Sequence, residues 1–137
     1  MTERTIVEEY TWVVPFTVTR LKDADTFVGT AMLPGHVEIK ILNMVADMNF
    51  PVEQVIRLEG VNAPENNTQA GKAATAYVAG WISDHQGQPL YLATNMKRDS
   101  FGRLLGDIRL SPSYLTGLAN DLLQSGHAEP YTRHGAW

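Results

Sequence analysis

The order of the apolar patterns is what most constrains this chain. Extended stretches come first, a single long amphipathic helix follows, and two more strands and a short helix close the sequence. Tyr10 to Leu21 is rich in Val, Thr and aromatic residues and predicts a strand, with Pro15 marking an edge position or a bulge. Asp25 to Leu33 predicts a second strand. Pro34-Gly35 predicts a turn. Val37 to Val45 is a third extended stretch that Asn49-Phe50-Pro51 closes, and Val52 to Val61 is a fourth that ends in an Asn-Ala-Pro turn. Thr68 then offers a helix N-cap. After it Ala70, Ala73, Ala74, Tyr77, Val78, Trp81 and Ile82 recur at steps of three and four, which places them on one helical face. Gln86-Gly87-Gln88-Pro89 ends that unit. Leu90 to Asn95 and Leu104 to Leu110 predict strands around the polar loop Lys97 to Gly102. A last helix is expected from about Thr116 to Gln124, burying Leu115, Leu118, Leu122 and Leu123 and stopping at Gly126. Strand and helix do not alternate, so a doubly wound parallel sheet is excluded. The fold class expected is α+β: a five-stranded OB-type β-barrel with flanking helices and an extra β-hairpin insertion.

A chain of 137 residues suffices for one domain with a real core. We expect a single domain over 1–137, its core about 10–131, with 1–9 and 132–137 as terminal extensions. The absence of cysteine excludes disulfides, thiolate zinc sites and a cysteine nucleophile. No apolar run is long enough to span a bilayer, so no membrane partner is expected. The start, Met1-Thr2-Glu3-Arg4-Thr5, lacks the basic and apolar regions of a secretory signal. Read as a complete chain, the sequence therefore predicts a cytoplasmic location. A formal net charge of −4 counts against a high-affinity groove for long nucleic acids. Lys97, Arg98, Arg103 and Arg109 nevertheless fall close together, which leaves room for a local positive cleft on an acidic body.

Several side chains suit chemistry on a phosphate. Asp23 and Asp25 are two apart at a strand entry, and in extended chain such residues share a side. A cation between them would relieve their repulsion; the plain alternative is a pair of solvated turn acids. Thr26 either orients one carboxylate or faces the core. Arg57 sits in an otherwise apolar strand, where a buried cation needs a partner; it points into a cleft or bonds a carboxylate. Glu65 follows Pro64, whose fixed φ stiffens the turn. It either holds a water for attack or places negative charge at a helix start. Arg103 follows Phe101-Gly102, and is either a phosphate ligand beside a permissive glycine or a surface arginine. His36, His85, His127 and His134 show no metal-ligand spacing. Met44, Met48, Met96, Trp12 and Trp81 are expected in the core.

Taken in order, Asp-x-Asp-Thr, then Arg-Leu-x-x-Val-Asn-Ala-Pro-Glu, then a helix, then Phe-Gly-Arg resembles the staphylococcal (thermonuclease) nuclease family. The segment Leu118 to Ala128 is similar to that family's last helix and its Gly-x-Ala exit. The resemblance runs from about Phe16 to Tyr131. It implies an OB-type barrel and calcium-dependent endonuclease action, with DNA and possibly RNA as the partners.

By that resemblance Asp25 is a calcium ligand, Asn62 stands where a second carboxylate ligand is expected, and the Ala63 carbonyl lies beside it. Glu65 holds or deprotonates the attacking water. Arg57 and Arg103 bind the scissile phosphate and stabilise its growing charge. Asp23 and Thr26 support the metal ligands from behind. Lys97, Phe101 and Tyr131 bind substrate, with Tyr131 available to stack on a base. A hard cation with oxygen ligands and two guanidinium forks makes a coherent site for in-line water attack. The sequence departs from the family pattern in three places. Asn62 is neutral, which should lower calcium affinity. Ala24 replaces a glycine between the two acids. The span from Asp25 to Arg57 carries an extra hairpin around Pro34-Gly35 and Phe50-Pro51, readable as a substrate wall, a dimer contact or decoration. A binding module without catalysis on the same barrel is the alternative reading.

Overall fold

The structure, a computed structural model, describes residues 10–113 and 117–131. The terminal extensions, Leu115, Thr116 and His134 lie outside the described residues. Along the chain run β1 (Trp12–Asp23), β2 (Thr26–Ile39), β3 (Met44–Leu58), β4 (Val61–Asn62), α1 (Gln69–Asp84), β5 (Leu90–Arg98), β6 (Leu104–Arg109), α2 (Leu118–Gln124) and β7 (Glu129–Pro130). Five strands close a barrel in the order β1-β2-β3-β6-β5, with β5 returning to β1. The β3–β6 pair is parallel and the other pairs are antiparallel. This closed mixed barrel with two helices is the α+β, OB-type arrangement expected from the sequence. Closure removes the sheet edges that an open five-stranded sheet would expose.

Alternation fills the barrel. Phe27, Ile56, Leu58, Leu92 and Ile108 are fully buried, and Val78 and Trp81 of α1 and Leu118 and Leu122 of α2 cap the core. Each such side chain contributes roughly 1.5–3 kcal/mol on leaving water. Helix α1 begins where Thr68 Oγ1 accepts the Gly71 N–H at 2.9 Å, and its buried residues Gly71, Ala74, Val78 and Trp81 follow helical spacing. It ends at His85, whose Nδ1 lies 2.7 Å from the Trp81 carbonyl. Helix α2 has no capping side chain at its own N-cap, Gly117. Instead Asp107 Oδ1, projected from β6, accepts the Ala119 N–H at 3.0 Å. A carboxylate from the barrel thus satisfies one of the helix's orphan donors and docks it.

The hairpin differs from the sequence expectation. Pro34-Gly35 is not a turn, Val37 to Val45 is not a separate strand, and Asn49-Phe50-Pro51 closes nothing. β2 and β3 instead run on as one ribbon, with Pro34 opposite Asn49 and Met32 opposite Pro51, and reverse only at a 3-10 turn over Lys40–Leu42. Asn43 completes the reversal with φ 52°, a left-handed conformation that asparagine tolerates. The last β1 partner of β2 is Ala31 and the first β6 partner of β3 is Ile56, so beyond the barrel, among the described residues, the two strands pair only with each other. A proline's missing N–H is tolerated on such open edges. Gly35 has a separate reason: a Cβ there would run into the Phe50 ring, which lies over the bare backbone.

The sides of the ribbon are unlike. Directly opposed residues share a face. Leu33–Phe50, Gly35–Met48, Val37–Ala46 and Ile39–Met44 form one face, continuous with the side of the sheet that carries Phe27 and Ile56 into the core. Pro34–Asn49, His36–Asp47 and Glu38–Val45 form the other, where His36 Nδ1 lies 2.8 Å from Asp47 Oδ1. Met44 and Met48 are therefore exposed ribbon residues rather than core, and Trp12 and Met96 are exposed as well, while Trp81 is buried as expected.

Candidate active site

Three separated segments meet at one end of the barrel. The two-residue turn Ala24-Asp25 joins β1 to β2, with Asp23 and Thr26 paired across it. Ala24 is fully buried, and its φ is not among the positive values, so the turn needs no glycine there. Opposite this turn is the end of β3, where Thr26 pairs with Arg57 and the Asp25 carbonyl accepts the Leu58 N–H. The parallel partner β6 places Leu105 beside Arg57, with Arg103 just ahead of that strand.

Arg57 is 7% exposed and makes its own pocket. Its Nη1 donates to the Leu58 carbonyl at 2.7 Å and the Val61 carbonyl at 2.8 Å, which ties down the turn between β3 and β4. Its Nη2 donates to Asn62 Oδ1 at 3.2 Å and faces Asp25 Oδ2 at 3.5 Å. Burial is the strongest influence on this guanidinium and lowers its pKa; Asp25 opposes that, and the charge of Arg103 lowers it further. The Tyr131 ring centroid lies 5.8 Å from Arg57 Cζ, and the Tyr131 N–H donates to the Gly60 carbonyl.

The Asp25 carboxylate is held on both oxygens. Oδ1 accepts the Thr26 hydroxyl at 3.1 Å, and Oδ2 accepts the Ala63 N–H at 2.8 Å. The structure thus joins Asp25, Thr26, Arg57, Asn62 and Ala63 in one hydrogen-bonded cluster, with Tyr131 against it and Arg103 near enough to act on Arg57 through its charge.

Arg103 is half-buried, and its guanidinium is 5.3 Å from the centre of the exposed Phe101 ring. Asp99 Oδ2 accepts its Nε–H at 2.6 Å. Asp99 Oδ1 takes the backbone N–H groups of Phe101 and Arg103, both at 2.9 Å. Sequence reading passed over Asp99 as part of a polar loop. The available signal was an acid four residues before an arginine with a glycine between them; Gly102 does adopt φ 82°, the left-handed turn that lets the loop fold back on Asp99.

The remaining candidates sit further out. The Glu65 side chain is exposed, while its backbone carbonyl accepts both the N–H and the hydroxyl of Thr68. Gly71 packs directly under that carbonyl: a Cβ at Gly71 would overlap Glu65 O. Asp23 is half-buried at the end of β1, and Lys97 is exposed near the end of β5. Among the described residues, no helix is long and apolar enough to cross a membrane.

No protein-family model matches the chain. In an alignment 91 positions long that covers 59% of the chain, it is 32% identical to a protein of Schizophyllum commune called Probable endonuclease LCL3. The match takes in 31% of that protein's length, so the chain corresponds to under a third of this relative.

Proposed function

We propose that this barrel is a small metal-dependent nuclease, with calcium as its ion, that hydrolyses phosphodiester bonds of DNA, and of RNA where it meets it, by water attack. The observation that carries the reading is the convergence of Arg57 and Arg103 with Asp25 and Asn62 at one barrel end. Its motif order resembles the staphylococcal nuclease family, and the similar fungal protein bears the name of a probable endonuclease.

The donors fit a hard cation. Asp25 offers a carboxylate, Asn62 an amide oxygen and Ala63 a carbonyl. Among the described residues no group of three or more His, Asp or Glu side chains gathers here, so water and a phosphate oxygen would fill out the coordination shell. When bound, the ion would supply Lewis-acid polarisation of a phosphate oxygen. The chain's own residues do the rest. Asp99 occupies only Nε of Arg103, which leaves the two terminal nitrogens to grip the phosphate and follow its charge into the transition state. Arg57 spends Nη1 on its own backbone, so it acts through Nη2, Nε and its charge. Glu65, exposed on the rim, holds a water and takes its proton as oxygen attacks phosphorus opposite the leaving oxygen. Phe101 and Tyr131 offer sequence-tolerant stacking for bases.

Turnover of single-stranded DNA with calcium, with and without chelator, tests this. Arg103→Ala should lower the rate at least about a hundredfold, and Glu65→Gln should abolish most of it. Wild-type rates in either variant would remove the assigned role. One observation favours a second reading, binding without cleavage: Arg57 Nη2 already engages Asn62 Oδ1 and faces Asp25 Oδ2, the oxygens a cation would use. Tight uptake of a nucleotide bisphosphate in chelator, with no product formed when calcium is restored, would favour that reading.

A further inference from the structure

We infer that the apolar face of the β2–β3 ribbon is a docking surface for the same face of a second copy of this chain. Beyond the Ala31–Val52 pair the other three strands have no partner in the ribbon among the described residues, yet from there the apolar alternation on the core-facing side continues to the tip. Ile39 is 41% exposed, Met44 54% and Met48 50%, and Ile41 at the tip reaches 92%. A two-stranded hairpin is marginal by itself in water, so a ribbon with one apolar face needs cover to be stable.

Area and charge select the occupant. The face presents apolar surface on the order of 500 Å² per chain, comparable to the largest patch on a typical monomer. Two such faces packed together remove about 1,000 Å² in total, the lower limit of a specific interface. Two copies match in length and width by identity, and a two-fold axis through the Val37–Ala46 pair closes the contact without leaving a free face. Glu38, His36 and Asp47 lie on the opposite face and stay in water when the apolar faces meet. A phosphate-rich occupant, whether nucleic acid or an anionic bilayer, is disfavoured. The ribbon carries Glu38 and Asp47 against Lys40, and the chain as a whole is at −4.

The chain has no cysteine, so single thiols can report the contact. The full chain should sediment as a dimer at high concentration, and Ile39→Asp with Met48→Asp should yield a monomer whose barrel still unfolds in one cooperative transition. Ala46→Cys, on the apolar face, should form an interchain disulfide under mild oxidation. Asp47→Cys, on the polar face, should not. A wild-type chain that stays monomeric at all concentrations overturns the inference, including one whose ribbon is covered by its own residues 1–9. So does a dimer that survives the double substitution, or equal cross-linking at positions 46 and 47.

Discussion

Asp99 holds Arg103 by the inner nitrogen of its guanidinium, 2.6 Å from Oδ2, while its other oxygen gathers the loop's own N–H groups. Burial by itself would raise the Asp99 pKa. The hydrogen bonds from Arg103 and Phe101, with the charge of Arg103, outweigh burial and bring it below the ordinary 3.8. Such a charge-assisted contact fixes the plane and direction of the fork as well as its location.

The first prediction is that Asp99→Asn lowers turnover about tenfold, as is typical when an orienting partner is lost, chiefly through weaker phosphate binding. It also carries a pH signature. On acidification the unfolded chain takes up this proton before the folded one, so the stability Asp99 contributes is complete above the ordinary carboxylate range and drains away as pH falls through the lowered pKa. Urea midpoints measured below about pH 4 should therefore fall more steeply for wild type than for Asp99→Asn. Parallel curves would deny Asp99 this linkage.

Arg57 is the second test, because it serves the fold as well as the site. Arg57→Ala strands Asp25 in a buried setting and removes both bonds to the β3–β4 turn, which should destabilise the chain by roughly 3–5 kcal/mol. Arg57→Lys keeps the charge but not the fork, and should recover part of the stability and little of the activity. Urea unfolding beside a DNA cleavage assay separates the two; equal stability of all three proteins would contradict the described hydrogen bonds.

Gly71→Ala should disturb a residue six positions away. The added methyl meets the Glu65 carbonyl, so either the α1 start or the Pro64-Glu65 turn must move. A loss of about 1–3 kcal/mol is expected for such overpacking, with a fall in kcat exceeding that for Gly80→Ala, where the new methyl meets nothing within 4 Å. Thermal melts and rate measurements on both variants provide the comparison.

Asn62→Asp adds a carboxylate beside Asp25. It should tighten calcium about tenfold, since affinity in oxygen sites follows ligand charge. It should also strengthen the contact with Arg57, now an ion pair. Calorimetric titration in the presence of a nucleotide bisphosphate gives the answer, and unchanged calcium affinity would place the ion elsewhere.

Much of the barrel was legible because its rules are local. Thr68 and the apolar spacing of Ala74, Val78 and Trp81 announced α1, and Val and Ile alternation announced the strands around it. The ribbon was misread because Pro34 and Gly35 usually punctuate a chain. Here they sit where a missing N–H meets an open edge and a missing Cβ admits Phe50, and both conditions depend on strands distant in sequence. Motif order singled out Asp25, Arg57 and Asn62, residues that the structure joins by hydrogen bonds and an ion pair. Asp99 escaped, because a carboxylate that orients another side chain looks in sequence like any loop acid. Asp107 escaped too: nothing in the order of residues says that it reaches from β6 to the first turn of α2.

The parallel pairing of β3 with β6 has a temporal consequence. Arg57 leaves the ribosome well before Leu105, its neighbour in that pair, and Arg103 arrives just ahead of it. Until β6 slots in beside β3, the nascent polypeptide cannot assemble the proposed phosphate grip. Under the proposed function, a truncation short of β6 removes both Arg103 and the pairing that brings it toward Arg57.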